Sequence, residues 1–220
     1  NFCCHEDSRL NMRKFHRDAC RVVMITEEID ARSRKTNELI RIMCENSRNR
    51  IVLWASLPCT GGCPWNHING MTEEGRAKIK EHTKLMIELL EPFVRYARLV
   101  SKHGGIVCFE WPYACLYWKR PDIIDMVNSL HLKPTTCCGC ALGLKSITPG
   151  KEDMFIKKTW RIVSNHVCID KAFAKYGCPG ISRTHQHEHC RGINAKNSER
   201  YTDMFALSLH RALRSAFENV

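Results

Sequence analysis

"LWASLPCTGGCPW", residues 53–65, runs from an apolar stretch into a Pro-Cys pair and then a Thr-Gly-Gly turn. The apolar residues through Leu57 read as a buried strand that stops at Pro58-Cys59. Glycines directly after a thiol let a ligand approach it closely, which a packed cysteine does not permit. Cys59 therefore has four readings: small core residue, metal ligand, redox partner or nucleophile.

Outward from this stretch, strands and helices alternate. "RVVMIT" (21–26) is β-branched and reads as a strand ending in the acids of "EEID" (27–30). Residues 31–47 carry Leu39, Ile40, Met43 and Cys44 at helical spacing. Residues 71–105 predict a long helix started near Thr72 and ended at Gly104-Gly105. Its core stripe is Ile79, Thr83, Met86, Leu90, Phe93, Ala97 and Val100, with a kink expected at Pro92. "GIVCFEWP" (105–112) is a third strand and "RPDIIDMVNSLHL" (120–132) a further helix with proline near its start. "KPTTCCGCALGL" (133–144) and "KTWRIVSN" (158–165) read as the last strands. This alternation predicts an α/β fold with a mostly parallel sheet and helices on both faces. In such sheets chemistry collects at the carboxyl ends of the strands, where Cys59, Glu110 and the "EEID" acids fall.

Composition narrows the function. The chain has 220 residues, enough for one domain with a sizeable core. No apolar run is long enough to span a bilayer, so no membrane role is expected. A net charge of +11, from 34 Lys and Arg against 23 Asp and Glu, favours a polyanionic partner, read as nucleic acid with DNA ahead of RNA. The 14 cysteines lack the pattern of a secreted disulfide framework, which points to a reducing intracellular compartment, nucleus or cytoplasm. The start at Asn1 rather than Met is read as the mark of a processed product or polyprotein domain, with other domains of that polyprotein as partners.

Two residues raise the strand-end reading above chance. Glu110 ends an apolar strand, and buried acids at such positions are paired or functional. An acid ending the second strand of a nucleotide-binding sheet accepts hydrogen bonds from ribose hydroxyls. The order of an acidic strand end, Pro-Cys loop, long helix, Glu at a strand end, helix, two strands and an Arg-bearing last strand resembles the catalytic core of the cytosine carbon-5 methyltransferases. The resemblance covers most of residues 1–165.

That resemblance implies a Rossmann-like, three-layer methyltransferase fold that uses S-adenosylmethionine. Pro58-Cys59 stands at the family's Pro-Cys motif, making Cys59 the nucleophile that attacks carbon-6 of a flipped cytosine. "FEWP" stands at the Glu motif, so Glu110 would hold the base at N3. "TWRIV" looks like the later arginine motif, making Arg161 a catalytic cation. The cofactor set carried over is Phe2, Cys3, Ser8, Glu28, Ile29 and Pro58. The chain departs from the family in its first loop, where His5, Glu6 and Asp7 replace small residues. "FEWP" has Trp111-Pro112 in place of Asn-Val, and the target-recognition domain is missing.

The segment after residue 165 is distinct. Cys178, His185, His187 and Cys190 form a candidate zinc set, and Arg183 and Arg191 could meet phosphates beside it. "CCGC" (137–140) is a second metal candidate, although packing is the simpler reading inside a strand. The expected organisation is a catalytic core over 1–165, a His/Cys-rich appendage over 166–200, and a closing helix over 201–220 that packs back on the core. Two other functions fit: a non-enzymatic, zinc-stabilised nucleic-acid-binding module on the same fold, and a cysteine hydrolase using His67 or His82 as base.

Overall fold

The computed structural model describes residues 1–3, 7–16, 20–26, 29–48 and 50–218. In chain order the helices are α1 (Arg13–His16), α2 (Arg34–Asn46), α3 (Asn66–Asn69), α4 (Glu73–Lys102), α5 (Pro121–Ser129), α6 (Val167–Phe173), α7 (Ile193–Asn197) and α8 (Asp203–Glu218). The strands are β1 (Val52–Ala55), β2 (Ile106–Pro112), β3 (Lys133–Cys138), β4 (Phe155–Ile156), β5 (Thr159–Ser164) and β6 (His187–Glu188).

The main sheet has the order β1-β2-β5-β3. β1 and β2 are parallel, with Val52 opposite Ile106 and Ala55 opposite Phe109. β5 runs antiparallel to both β2 and β3, so the sheet is mixed and not mostly parallel. The reason lies in the connections. α5 carries the chain from β2 across to β3, whereas residues 139–158 hold a 3-10 turn and the two-residue β4 but no crossover helix. Without a crossover the chain can only return antiparallel. β4 and β6 form a separate parallel pair, Phe155 opposite His187 and Ile156 opposite Glu188.

Beyond β1 the sheet is continued by single bridges. Phe2 bridges in parallel to Ala55 on one side and to Ile25 on the other. The strand expected over 21–26 is thus extended chain with one paired residue, and Glu27 and Glu28 of "EEID" lie outside the described residues.

Alternation along β2 divides the interior in two, because successive side chains point to opposite faces. Val107, Phe109 and Trp111 join Leu53, Ala55 and Val163 in a core covered by α2, α4 and α5. Ile106 and Cys108 join Trp54, Trp160 and Ile162 in a second core covered by α6 and α8. The α4 stripe is seated as its spacing predicts: Met86, Leu90, Phe93, Ala97 and Val100 are buried, each large one contributing about 1.5–3 kcal/mol by leaving water. Thr72 caps the helix by accepting from the Gly75 amide at 3.0 Å, and Pro92 sits inside it without ending it. α6 buries Ile169 and Phe173 against α8, so the first part of the segment expected as an appendage is core.

Candidate functional site at the strand ends

The loop after β1 is held rigidly. Residues Thr60–Gly62 form a 3-10 turn in which Gly62 donates to the Cys59 carbonyl at 2.9 Å. The Asn66 side-chain amide donates to both the Thr60 and Gly61 carbonyls at 2.9 Å. Upstream, the buried Trp111 indole donates to the Leu57 carbonyl at 2.6 Å, fixing the backbone just before Pro58. The glycines serve close packing as well as approach. A Cβ at Gly61 would lie 2.0 Å from the Tyr117 hydroxyl, and one at Gly62 would lie 2.7 Å from Cys115 Sγ. The turn is therefore packed onto the Cys115–Tyr117 segment, leaving Cys59 half-buried against the first core.

Glu110 lies on the second-core face of β2, only 5% exposed. Its Oε2 accepts from the Tyr201 hydroxyl at 2.7 Å and from Ser56 Oγ at 3.2 Å. The Ser56 and Tyr201 oxygens also touch each other, so the Ser56 proton is shared between Oε2 and the Tyr201 oxygen, and the Trp54 indole donates to that oxygen at 3.3 Å. Glu110 Oε1 is buried with no partner. Burial pushes the Glu110 carboxyl above its usual range, opposed by Lys158, Tyr201 and Ser56. The raised value favours a neutral carboxyl. Since Oε2 already accepts two bonds, Oε1 is the oxygen left to carry a proton or meet a ligand.

Tyr201 has φ +60°, a left-handed conformation that a bulky residue adopts only where its surroundings enforce it. The enforcing contacts are its hydroxyl network and its ring packing on Phe205, Trp54 and Trp160. Burial raises the Tyr201 hydroxyl far above its ordinary value, and the Glu110 charge adds to this.

Cys59 lies against the first core, whereas Glu110 is on the second-core face. Burial pushes its thiol up to about 11; Lys158 pulls it down, while Glu110 and Glu199 push it further up. Lys158 Nζ donates to Ser198 Oγ at 2.8 Å and lies 5.7 Å from the Trp160 ring centroid. Lys158 is thus the cation whose charge acts on both Cys59 and Glu110. Arg161 is placed otherwise. It faces Trp111 across the β2–β5 ladder while Glu110 faces Ile162, so the two side chains leave opposite faces of the sheet. The Arg161 guanidinium lies 4.5 Å from the Tyr113 ring centroid and 5.3 Å from that of Trp118. His67 Nδ1 is engaged with the Pro64 carbonyl at 2.7 Å.

Of the residues assigned to a cofactor, Phe2 and Cys3 lie beside β1 and Ile25. Phe2 is fully buried; its amide donates to the Trp54 carbonyl at 2.7 Å and its carbonyl accepts from Ser56 at 3.2 Å. Cys3 has φ +52° and donates to the Ile25 carbonyl at 2.9 Å. Ser8 is 1% exposed, and its hydroxyl is buried without a hydrogen-bond partner. Ile29 is exposed, Pro58 half-buried, and Glu28 lies outside the described residues. A cleft of about 550 Å³ opens at the other end of β1, between Leu10, His16, Val23, Arg50, Trp54 and His210.

A second cluster sits where the chain leaves β3. Cys140, Cys178, His185 and His187 place their donor atoms within 4.8 Å of one another. Such a group could hold a metal such as zinc. Cys190, expected in this set, is elsewhere: its thiol lies 4.0 Å from Ser198 Oγ and packs against the second core. Cys190 lies between β6 and α7 and is not among the donors gathered there. Cys140 replaces it because β3 ends at Cys138 and the following 3-10 turn (Cys140–Leu142) takes this thiol out of the sheet.

Sequence reasoning thus missed Ser56, Lys158 and Tyr201, and set Cys140 aside. The position of Cys140 within "CCGC" was a usable signal; Tyr201 gave none, because its reach to Glu110 spans 91 residues. Among the described residues no helix is long and apolar enough to cross a membrane. No protein-family model, curated protein or solved structure matches this chain.

Proposed function

We propose that this chain is a Rossmann-like methyltransferase acting on carbon-5 of cytosine in nucleic acid, with Cys59 as nucleophile and Glu110 as the group that holds the base. The observation that carries the reading is the buried Glu110 carboxyl, with Oε2 occupied by Tyr201 and Ser56 and Oε1 unpartnered. Cytosine N3 is an acceptor. A neutral carboxyl donating from Oε1 would bind it and favour protonation of the ring as a sulfur–carbon-6 bond forms. Carbon-6 addition makes carbon-5 electron-rich. For that addition the Cys59 proton passes to solvent water, and Lys158 lowers the cost of forming the thiolate.

The sheet order supports the cofactor half of the reading. From Phe2 the chain goes outward to Ile25, then returns to the opposite side of Phe2 as β1. Ligands of open α/β sheets lie at the carboxyl edge where the order reverses, here between Phe2 and β1. The unsatisfied Ser8 hydroxyl is a polar atom that a ligand there would pair. Cys3, Ser8, Ile29 and Pro58 would hold S-adenosylmethionine over the buried Phe2, and the cofactor supplies the methyl group when bound. The net charge of +11 suits a DNA backbone, and a duplex base must flip to reach Glu110.

The test is a trap: a 5-fluorocytosine-containing DNA duplex incubated with the chain and S-adenosylmethionine, read by denaturing gel and mass spectrometry. The expected result is a covalent adduct on Cys59, absent in Cys59→Ser. The high thiol value favours one alternative, a catalytically silent nucleic-acid-binding module on the same fold. Duplex binding without an adduct supports that alternative and overturns the enzymatic reading.

A further inference from the structure

We infer that Cys140, Cys178, His185 and His187 form a closed structural zinc site that staples residues 178–187 to the end of β3 and, through Gly139, holds the Lys158 backbone. The site stands whether or not Cys59 is a nucleophile.

The donor chemistry comes first. Two thiols and two imidazoles are a standard zinc set, and four protein ligands leave no open position for a substrate. For ordinary zinc–sulfur and zinc–nitrogen lengths the edges of the tetrahedron are about 3.3–3.8 Å. Cys178 Sγ and His187 Nε2 are already 3.6 Å apart, and all four donors fall within 4.8 Å. Loading therefore needs a closure of about an ångström.

The second observation concerns His185. Its Nε2 is buried and has no hydrogen-bond partner, while its ring is clamped flat on Phe155 with centroids 4.4 Å apart. A buried ring nitrogen with nothing to bond is costly unless a ligand completes it. The backbone holds the two histidines ready. β6 pairs His187 with Phe155, and a reciprocal pair of 3.2 Å bonds between Ser182 and His185 closes the turn before them. Residues two apart on extended chain share a face, which presents both imidazoles to the thiols.

The link to the strand-end site is short. Gly139, next to Cys140, donates to the Lys158 carbonyl at 2.7 Å. Lys158 then reaches Ser198, and the Tyr201 amide donates back to the Ser198 carbonyl at 3.4 Å. Zinc binding would release the two thiol protons to solvent and bind the folded chain alone, adding stability.

The experiment uses the full chain. Metal analysis after purification should find about one zinc per chain. Cobalt substitution should give thiolate-to-metal charge transfer with the visible bands of a tetrahedral centre, a readout that needs no variant. Cys140→Ser should lose the metal and Cys190→Ser keep it. A folded chain that binds neither ion, or one that loses zinc on Cys190→Ser but keeps it on Cys140→Ser, overturns the site.

Discussion

The Tyr201 hydroxyl donates to Glu110 Oε2 at 2.7 Å, joining the residue just before α8 to the end of β2. Both groups are buried, and the bond leaves the other carboxyl oxygen buried without a partner. It also explains why a tyrosine tolerates φ +60° at this point.

Tyr201→Phe tests that bond. The substitution keeps the ring packing and removes one donor from a buried carboxyl, so urea unfolding should show a loss of about 1–3 kcal/mol. Trapping on fluorocytosine should slow in parallel, because Glu110 loses its orientation. Unchanged stability and unchanged trapping would reject the positioning role.

Glu110→Gln isolates the pH dependence. Burial raises the carboxyl above the usual 4.5, with Lys158, Tyr201 and Ser56 opposing it. A folded-state value above the unfolded one means that the folded state binds the proton more tightly. Its contribution is fully present below the unfolded value and is lost as pH rises through the folded one. The stability of the wild type relative to Glu110→Gln should therefore fall as pH rises from about 4.5. Thermal melts of both chains across that range give the difference, in which the acids common to both cancel. A flat or rising difference contradicts the assignment.

Lys158→Met should make Cys59 less reactive. Burial pushes the thiol up to about 11, and the Lys158 charge pulls it down. Alkylation at Cys59 should climb about tenfold per pH below that value, following the thiolate fraction. Loss of Lys158 should shift the profile to higher pH, read by peptide mass spectrometry. An unmoved profile would remove Lys158 from the site.

Gly62→Ala probes the loop. The added Cβ would stand 2.7 Å from Cys115 Sγ and 2.8 Å from the Tyr117 ring, both on a buried segment. Overpacking of this kind costs about 1–3 kcal/mol. Displacement of the turn should also change the alkylation rate of Cys59 by more than the same substitution at Gly177, where nothing lies within 4 Å of a Cβ. Equal rates would mean that the packing seen at Gly62 does not position the thiol.

The sequence by itself determined the elements. Period and capping placed α4 between Thr72 and the glycines after it, because a long amphipathic helix writes its core stripe in local spacing. Apolar runs placed β1 and β2, and their ends marked Cys59 and Glu110. Tertiary structure decided what meets at those ends. Whether β5 is parallel or antiparallel depends on its connection, and which cation, hydroxyl or thiol reaches a site depends on contacts spanning tens of residues. Arg161 faces away from Glu110 because a one-residue step along a strand reverses the face: Glu110 stands opposite Ile162 and Arg161 opposite Trp111. Cys140 replaced Cys190 because the strand stops two residues before it and the turn swings its thiol towards Cys178. Tyr201 reached Glu110 only when α8 folded back against the second core.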